Sequence, residues 1–136
     1  MPPSEDEVRR NLVGQWARKA DQDYRAAESL LEDDPPLAYP SCFHSQQAAE
    51  KYLKALLTWH GVEFPKTHSL GELLDLLATV DATLAAGLAS ATSLNPYGVE
   101  VRYPGDLPEP DAAEARAALG LAKKVRDAVK GSLPPT

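Results

Sequence analysis

One short stretch of this 136-residue chain gathers most of the side chains that could do chemistry. At about 100° of rotation per residue, His44, Gln47, Glu50, Lys51 and Lys54 fall within an arc of about 120° on a helix. An imidazole beside two ammonium groups suits an anion such as a phosphate, and the imidazole is the group able to change charge near neutrality. The other reading of this row is a solvated helix face, with Glu50 and Lys54 an i,i+4 pair worth about 0.2–0.5 kcal/mol.

Asp23 breaks a different pattern. It falls between Ala27 and Leu30 on the apolar stripe of the first helix, close to the direction of Trp16. A carboxylate aimed at a core needs partners, because desolvation otherwise costs several kcal/mol. Arg102, Lys51 and His44 are the candidates, and Asp23 is expected to be mostly buried and paired. It is either a structural ion pair that orients two helices or an acid of the site. Arg102, Tyr103 and Pro104 form a short stiff turn, since proline biases the residue before it away from helical geometry. A guanidinium and a phenol held there suit a phosphate and a stacked base, or pack the turn onto the protein. Arg116, Lys123, Arg126 and Lys130 make a basic stripe on the last helix, read as a solvated face or a nucleic-acid footprint.

The histidines do not form a metal site by spacing. Cys42 and His44 lie about 200° apart on a helix, His60 and His68 are separated by a glycine-containing loop, and there is no second cysteine. No G-x-x-x-x-G-K-[ST], G-x-G-x-x-G or G-x-S-x-G occurs, so no metal, cofactor or familiar catalytic triad is expected.

Prolines mark the joints between the elements that must position these groups, because a helix interior rejects proline at about 3 kcal/mol. The first helix is expected from 5 to 33, opened by the capping box Ser4 and Glu7, with Leu12, Trp16, Ala20, Ala27, Leu30 and Leu31 on its apolar face. The second runs from 40 to 60, between Pro40 and Gly61, and is apolar around more than half its circumference, as the central helix of a bundle would be. A third begins at Ser69 with Glu72 as a further capping box, a fourth spans 81–94, and the last spans 110–130. Val99, Val101 and Tyr103 alternate too briefly for a sheet. The expectation is a single all-α domain over 1–136, with a core from about 12 to 130, built as an up-and-down bundle of four to five helices.

Composition narrows the function classes. With 14 Lys plus Arg against 20 Asp plus Glu, the net charge is −6, which disfavours sequence-independent nucleic-acid binding by the whole surface. With 43% hydrophobic and 25% charged residues the chain has neither a disordered nor a membrane-embedded composition, and no run approaches the ~18 apolar residues a spanning helix needs. The single cysteine and the polar, acidic start point to a cytoplasmic protein. The wide apolar coverage of the second helix, with an alanine- and leucine-rich face on the last, points to a homodimer.

The run from His44 to Ala55 (HSQQAAEKYLKA), then Lys66-Thr-His68-Ser-Leu, Arg102-Tyr103-Pro104 and Asp23 on a long first helix, resembles the HEPN domain (higher eukaryotes and prokaryotes nucleotide-binding). The resemblance covers about 12 to 130, and Gln46 to Lys54 is its most specific part. It implies a homodimeric bundle of four or five helices, often encoded beside a minimal nucleotidyltransferase in a toxin–antitoxin-like two-component system. Many such proteins are metal-independent ribonucleases that use an Arg followed after four to six residues by a His. No arginine of this chain has a histidine at that spacing, although Arg102 lies near the expected place. Arginine stays protonated and cannot serve as the missing base. The leading expectation is therefore a non-catalytic or degenerate module that binds a nucleotide, nucleic acid such as RNA, or a nucleotidyltransferase partner, through His44, Gln47, Lys51, Lys54, Arg102 and Tyr103, supported by Asp23, Glu50 and His68. The alternatives are a ribonuclease with a relocated histidine and a purely structural dimerisation scaffold.

Overall fold

The computed structural model describes residues 2–99, 103–106 and 108–134. The order is α1 (Glu5–Glu32), α2 (Ala38–Trp59), α3 (Leu70–Ala78), α4 (Ala82–Gly87), a 3-10 helix (Ala89–Tyr97) and α5 (Ala112–Ser132), with no strand among the described residues. The all-α expectation holds, and α2 is the central helix: it packs against α1, α5, α3 and the 3-10 helix.

Local chemistry sets the helix ends. The Ser4 hydroxyl accepts from the Glu7 N–H at 3.1 Å while the Glu7 carboxylate accepts from the Ser4 N–H at 3.4 Å, a complete capping box. Ser69 caps α3 by accepting from the Glu72 N–H at 3.2 Å, but the Glu72 carboxylate takes the Thr67 hydroxyl at 2.7 Å instead, so that box is half formed. At the end of α2 the chain turns through Gly61 at φ 70°, where the N–H groups of Val62 and Gly61 reach back to the carbonyls of Leu57 and Thr58. Glycine suits that left-handed position, and the paired bonds satisfy carbonyls the helix end would leave bare.

α1 and α2 form an antiparallel hairpin. Ala27 faces Ser41 near its closed end, where the Ser41 hydroxyl donates to the Ala27 carbonyl at 2.8 Å, and Trp16 lies over Lys54 near its open end. Tyr52, Leu53, Leu56 and Leu57 of α2 are fully buried, with Val125 and Val129 of α5 and Leu70, Leu73 and Leu77 of α3. Cys42 lies in the same core.

Two expectations are corrected. The apolar stripe of α1 is rotated: Leu12 is 44% exposed, while Val13, Ala20, Tyr24 and Ala27 are buried. Those four follow the 3-4 spacing of a helix packed lengthwise on a neighbour, which places Trp16 and Leu30 at the edge of the contact. The fourth segment is not one helix, since α4 stops at Gly87 and the chain tightens into the 3-10 helix that contains Pro96. There the Asn95 side chain accepts from the Leu70 N–H at 2.9 Å, tying this segment to the start of α3.

Candidate functional site

The polar edge of α2 lies between α1 on one side and the segment leading into α3 on the other. On the α1 side, Asp23 Oδ1 lies 2.9 Å from His44 Nδ1 and Oδ2 lies 2.5 Å from Lys51 Nζ. These are two of the three partners named from the sequence. The Asp23 side chain is 12% exposed, Lys51 24% and His44 32%, so the group is half-open to water. With Nδ1 engaged by a carboxylate, the imidazole is oriented and presents its other nitrogen, the arrangement that suits proton transfer or a hydrogen bond to an anion.

The other side overturns the reading of a solvated row. The Glu50 and Lys54 side chains are 3% and 8% exposed, and Lys54 Nζ donates to Glu50 Oε2 at 2.9 Å. The Lys54 ammonium also lies 5.4 Å from the Trp16 ring centre and 5.9 Å from that of Phe64, a cation against two aromatic faces. His68, itself 75% exposed, reaches in with Nδ1 at 3.0 Å from Glu50 Oε1. Burial here is tolerated because every charge is met, as desolvated ions require. Lys54 is therefore committed to Glu50, and an anion could reach it only by displacing that carboxylate.

Sequence reasoning missed Gln46. Its amide is fully buried and donates to Glu50 Oε1 at 3.3 Å and to the His68 carbonyl at 3.2 Å, and it accepts from Gln47 Nε2 at 2.6 Å. A carboxamide on the enclosed side of a helix must find partners, and that was the available signal. Two sequence candidates remain, Tyr103 and Arg102. Tyr103 is 72% exposed, and its backbone N–H is held by Asp106 at 3.2 Å in a turn through Gly105 at φ 91°. Arg102 lies outside the described residues.

The basic stripe of α5 divides. Lys130 pairs with Asp21 at 2.9 Å, and Arg126 lies 4.4 Å from the centre of the Tyr24 ring, so both fasten α5 to α1. Arg116 and Lys123 stay exposed. Asp21 also accepts from the Tyr52 hydroxyl at 2.5 Å, and burial, helped by that bond, pushes the Tyr52 phenol far above its ordinary value. Among the described residues no group of three or more His, Cys, Asp or Glu is arranged to hold a metal ion, and no helix is long and apolar enough to cross a membrane.

No curated protein matches the chain. Two solved structures share its fold along nearly their whole length. TT1696 from Thermus thermophilus is 32% identical with a TM-score of 0.70, covering 89% of this chain and 98% of its own. ST0689, described as an archaeal HEPN homologue, is 26% identical with a TM-score of 0.66, covering 88% of this chain and 96% of its own. The model of the HEPN domain family matches residues 13–132, a span that holds every paired group of the α2 edge. The chain belongs to the HEPN domain family.

Proposed function

We propose that this HEPN protein binds a phosphate-bearing ligand, a nucleotide or RNA, at the half-open edge of α2, and that it acts as the partner of a minimal nucleotidyltransferase in a toxin–antitoxin-like two-component system. The observation that carries the reading is Asp23 held between His44 and Lys51 at 2.9 and 2.5 Å, with both side chains still partly in water. Asp23 orients the imidazole and the ammonium, and a bound phosphate takes the hydrogen-bonding capacity they still turn to water. Gln47 lies within one helical turn of each. Arg102 and Tyr103 belong to the same proposal as further ligand-contacting residues, on the strength of the sequence reading alone. Lys54 supports the site from within through Glu50.

Titration of a fluorescent ribonucleotide and of a short single-stranded RNA tests this. Binding should weaken with salt, and Lys51→Ala and Arg102→Ala should each weaken it more than Lys130→Ala. Equal, negligible binding by wild type and variants would leave the scaffold reading. Co-purification with a nucleotidyltransferase encoded beside the gene tests the partnership. A homodimer is part of the proposal, and light scattering should report about twice the 14.7 kDa of one chain.

One observation favours a second reading, a ribonuclease with a relocated histidine: His44 is held by Asp23 through Nδ1, the way an acid–base imidazole is oriented. Cleavage of single-stranded RNA that disappears in His44→Ala would establish it.

A further inference from the structure

We infer that Gln47 sets the specificity of the proposed ligand site by presenting a carbonyl oxygen, so that the ligand must bring a hydrogen-bond donor beside its phosphate, and that Glu50 fixes this polarity from inside the protein through Gln46. The inference rests on the ligand-site reading above and narrows its ligand class.

The polarity is set outward from the buried charge. Lys54 Nζ donates to Glu50 Oε2 at 2.9 Å, and His68 Nδ1 lies 3.0 Å from Oε1. One end of the Gln46 amide faces Glu50 Oε1 at 3.3 Å and the His68 carbonyl at 3.2 Å. Both are acceptors, so that end has to be the NH2 group. Reversing the amide would set an oxygen against two oxygens in a buried place. Gln46 is fully buried, and a Cβ at Gly98 would come within 3.1 Å of its Cδ, so the end of the 3-10 helix closes directly over the amide. Its oxygen is left for Gln47, and only the NH2 of Gln47 can meet an oxygen at 2.6 Å. The Gln47 oxygen is then the end turned away from Gln46. It takes no hydrogen bond from the described residues and is not sealed from water, since the Ser45 hydroxyl is the one buried, unpartnered side-chain polar atom among them.

The surface consequence is a fixed pattern. His44, three residues before Gln47, and Lys51, four after it, supply donors from the Asp23 group, and Gln47 supplies an acceptor within one helical turn of each. A phosphate ester without a hydroxyl or amino group leaves that acceptor unmatched. A nucleotide carries two candidate donors, its ribose hydroxyls and an amino group on its base.

The test measures affinities of four probes: a purine ribonucleoside monophosphate, its 2′,3′-dideoxy counterpart, the same nucleotide without the exocyclic amino group, and methyl phosphate. In wild type the full nucleotide should bind about three- to tenfold tighter than one of the two deleted nucleotides, the worth of one neutral hydrogen bond, and which one identifies the donor. Gln47→Met should abolish that difference while still binding methyl phosphate. Gln46→Met, of similar volume, should reduce it as well and return the Gln47 side-chain NH2 resonances to free-glutamine positions, which a merely structural role would not do. If neither deletion matters in wild type, the inference is overturned and the ligand site stands. If wild type binds no phosphate ester, or binds them no better than His44→Ala and Lys51→Ala, the site falls and the inference with it. Should Gln46→Met fail to fold, Gln47 NH2 resonances at free-glutamine positions in folded wild type would overturn the relay.

Discussion

Asp23 and Glu50 flank the polar edge of α2, and each holds a histidine through Nδ1 and a lysine through Nζ, at 2.9 and 2.5 Å for the first and at 3.0 and 2.9 Å for the second. What differs is the cover. Around Asp23 all three groups keep partial access to water, whereas Glu50 and Lys54 are enclosed by Trp16, Phe64 and Gln46 and only the histidine stands outside. The same pairing chemistry is therefore open to solvent on one flank and enclosed on the other. Burial, and not residue type, separates the two.

Replacing the carboxylates one at a time gives the largest contrast. Glu50→Ala leaves an enclosed ammonium without a counter-charge and should lower stability by about 3–5 kcal/mol. Asp23→Ala frees partners that can hydrate themselves, and about 1 kcal/mol or less is expected. Urea denaturation of both variants checks this, and a reversed order would break the comparison.

A second experiment removes the enclosed pair as a unit. Glu50→Leu with Lys54→Met should recover most of the loss, to within about 1 kcal/mol of wild type, because apolar groups of similar volume need no compensation. The urea midpoint of the double variant decides. If it stays as low as that of Glu50→Ala, Glu50 does more for stability than neutralise Lys54.

Asp21 sharpens the contrast, because its partners are a phenol and the half-exposed Lys130. Folding raises the Tyr52 pKa, chiefly by burial, so the native state keeps a proton that the unfolded chain releases near pH 10. That stabilisation is complete below about pH 10 and is lost as pH rises toward the native value, at roughly 1 kcal/mol per pH unit. Urea midpoints at pH 8 and 10.5 should show the fall, and it should be shallower in Tyr52→Phe. The smallest effect belongs to the exposed partner of the enclosed pair: His68→Asn should cost about 0.5 kcal/mol or less, by the same measurement.

Much of this was legible in the residues. Ser4 with Glu7 and Gly61 mark helix ends by local chemistry, and Asp23 stood out as one charge on an apolar stripe. The exchange of Leu12 for Val13 at the core was harder to read, because adjacent apolar residues differ by about 100° and either can face inward until a neighbouring helix selects one. The enclosed pair was harder still. Glu50 and Lys54 have the i,i+4 spacing of a solvated pair, and His68, which pairs with Glu50, comes from a loop 18 residues beyond it. Helical periodicity carries no record of what a loop will cover. Gln46 was overlooked for the same reason, since its partners are a buried charge and a loop carbonyl.

The turn at Gly61 sends the chain back along the helix it has just left, and the returning segment lands twice, with Phe64 against Lys54 and His68 against Glu50. Surface loops ordinarily tolerate inserted residues at little thermodynamic expense. Here one additional residue between Gly61 and Phe64 would shift both landings together. The loop thus acts as a ruler of set length, and natural or engineered length variation in this protein should accumulate elsewhere, at the turn from Tyr103 to Asp106, and spare the short link from α2 to α3.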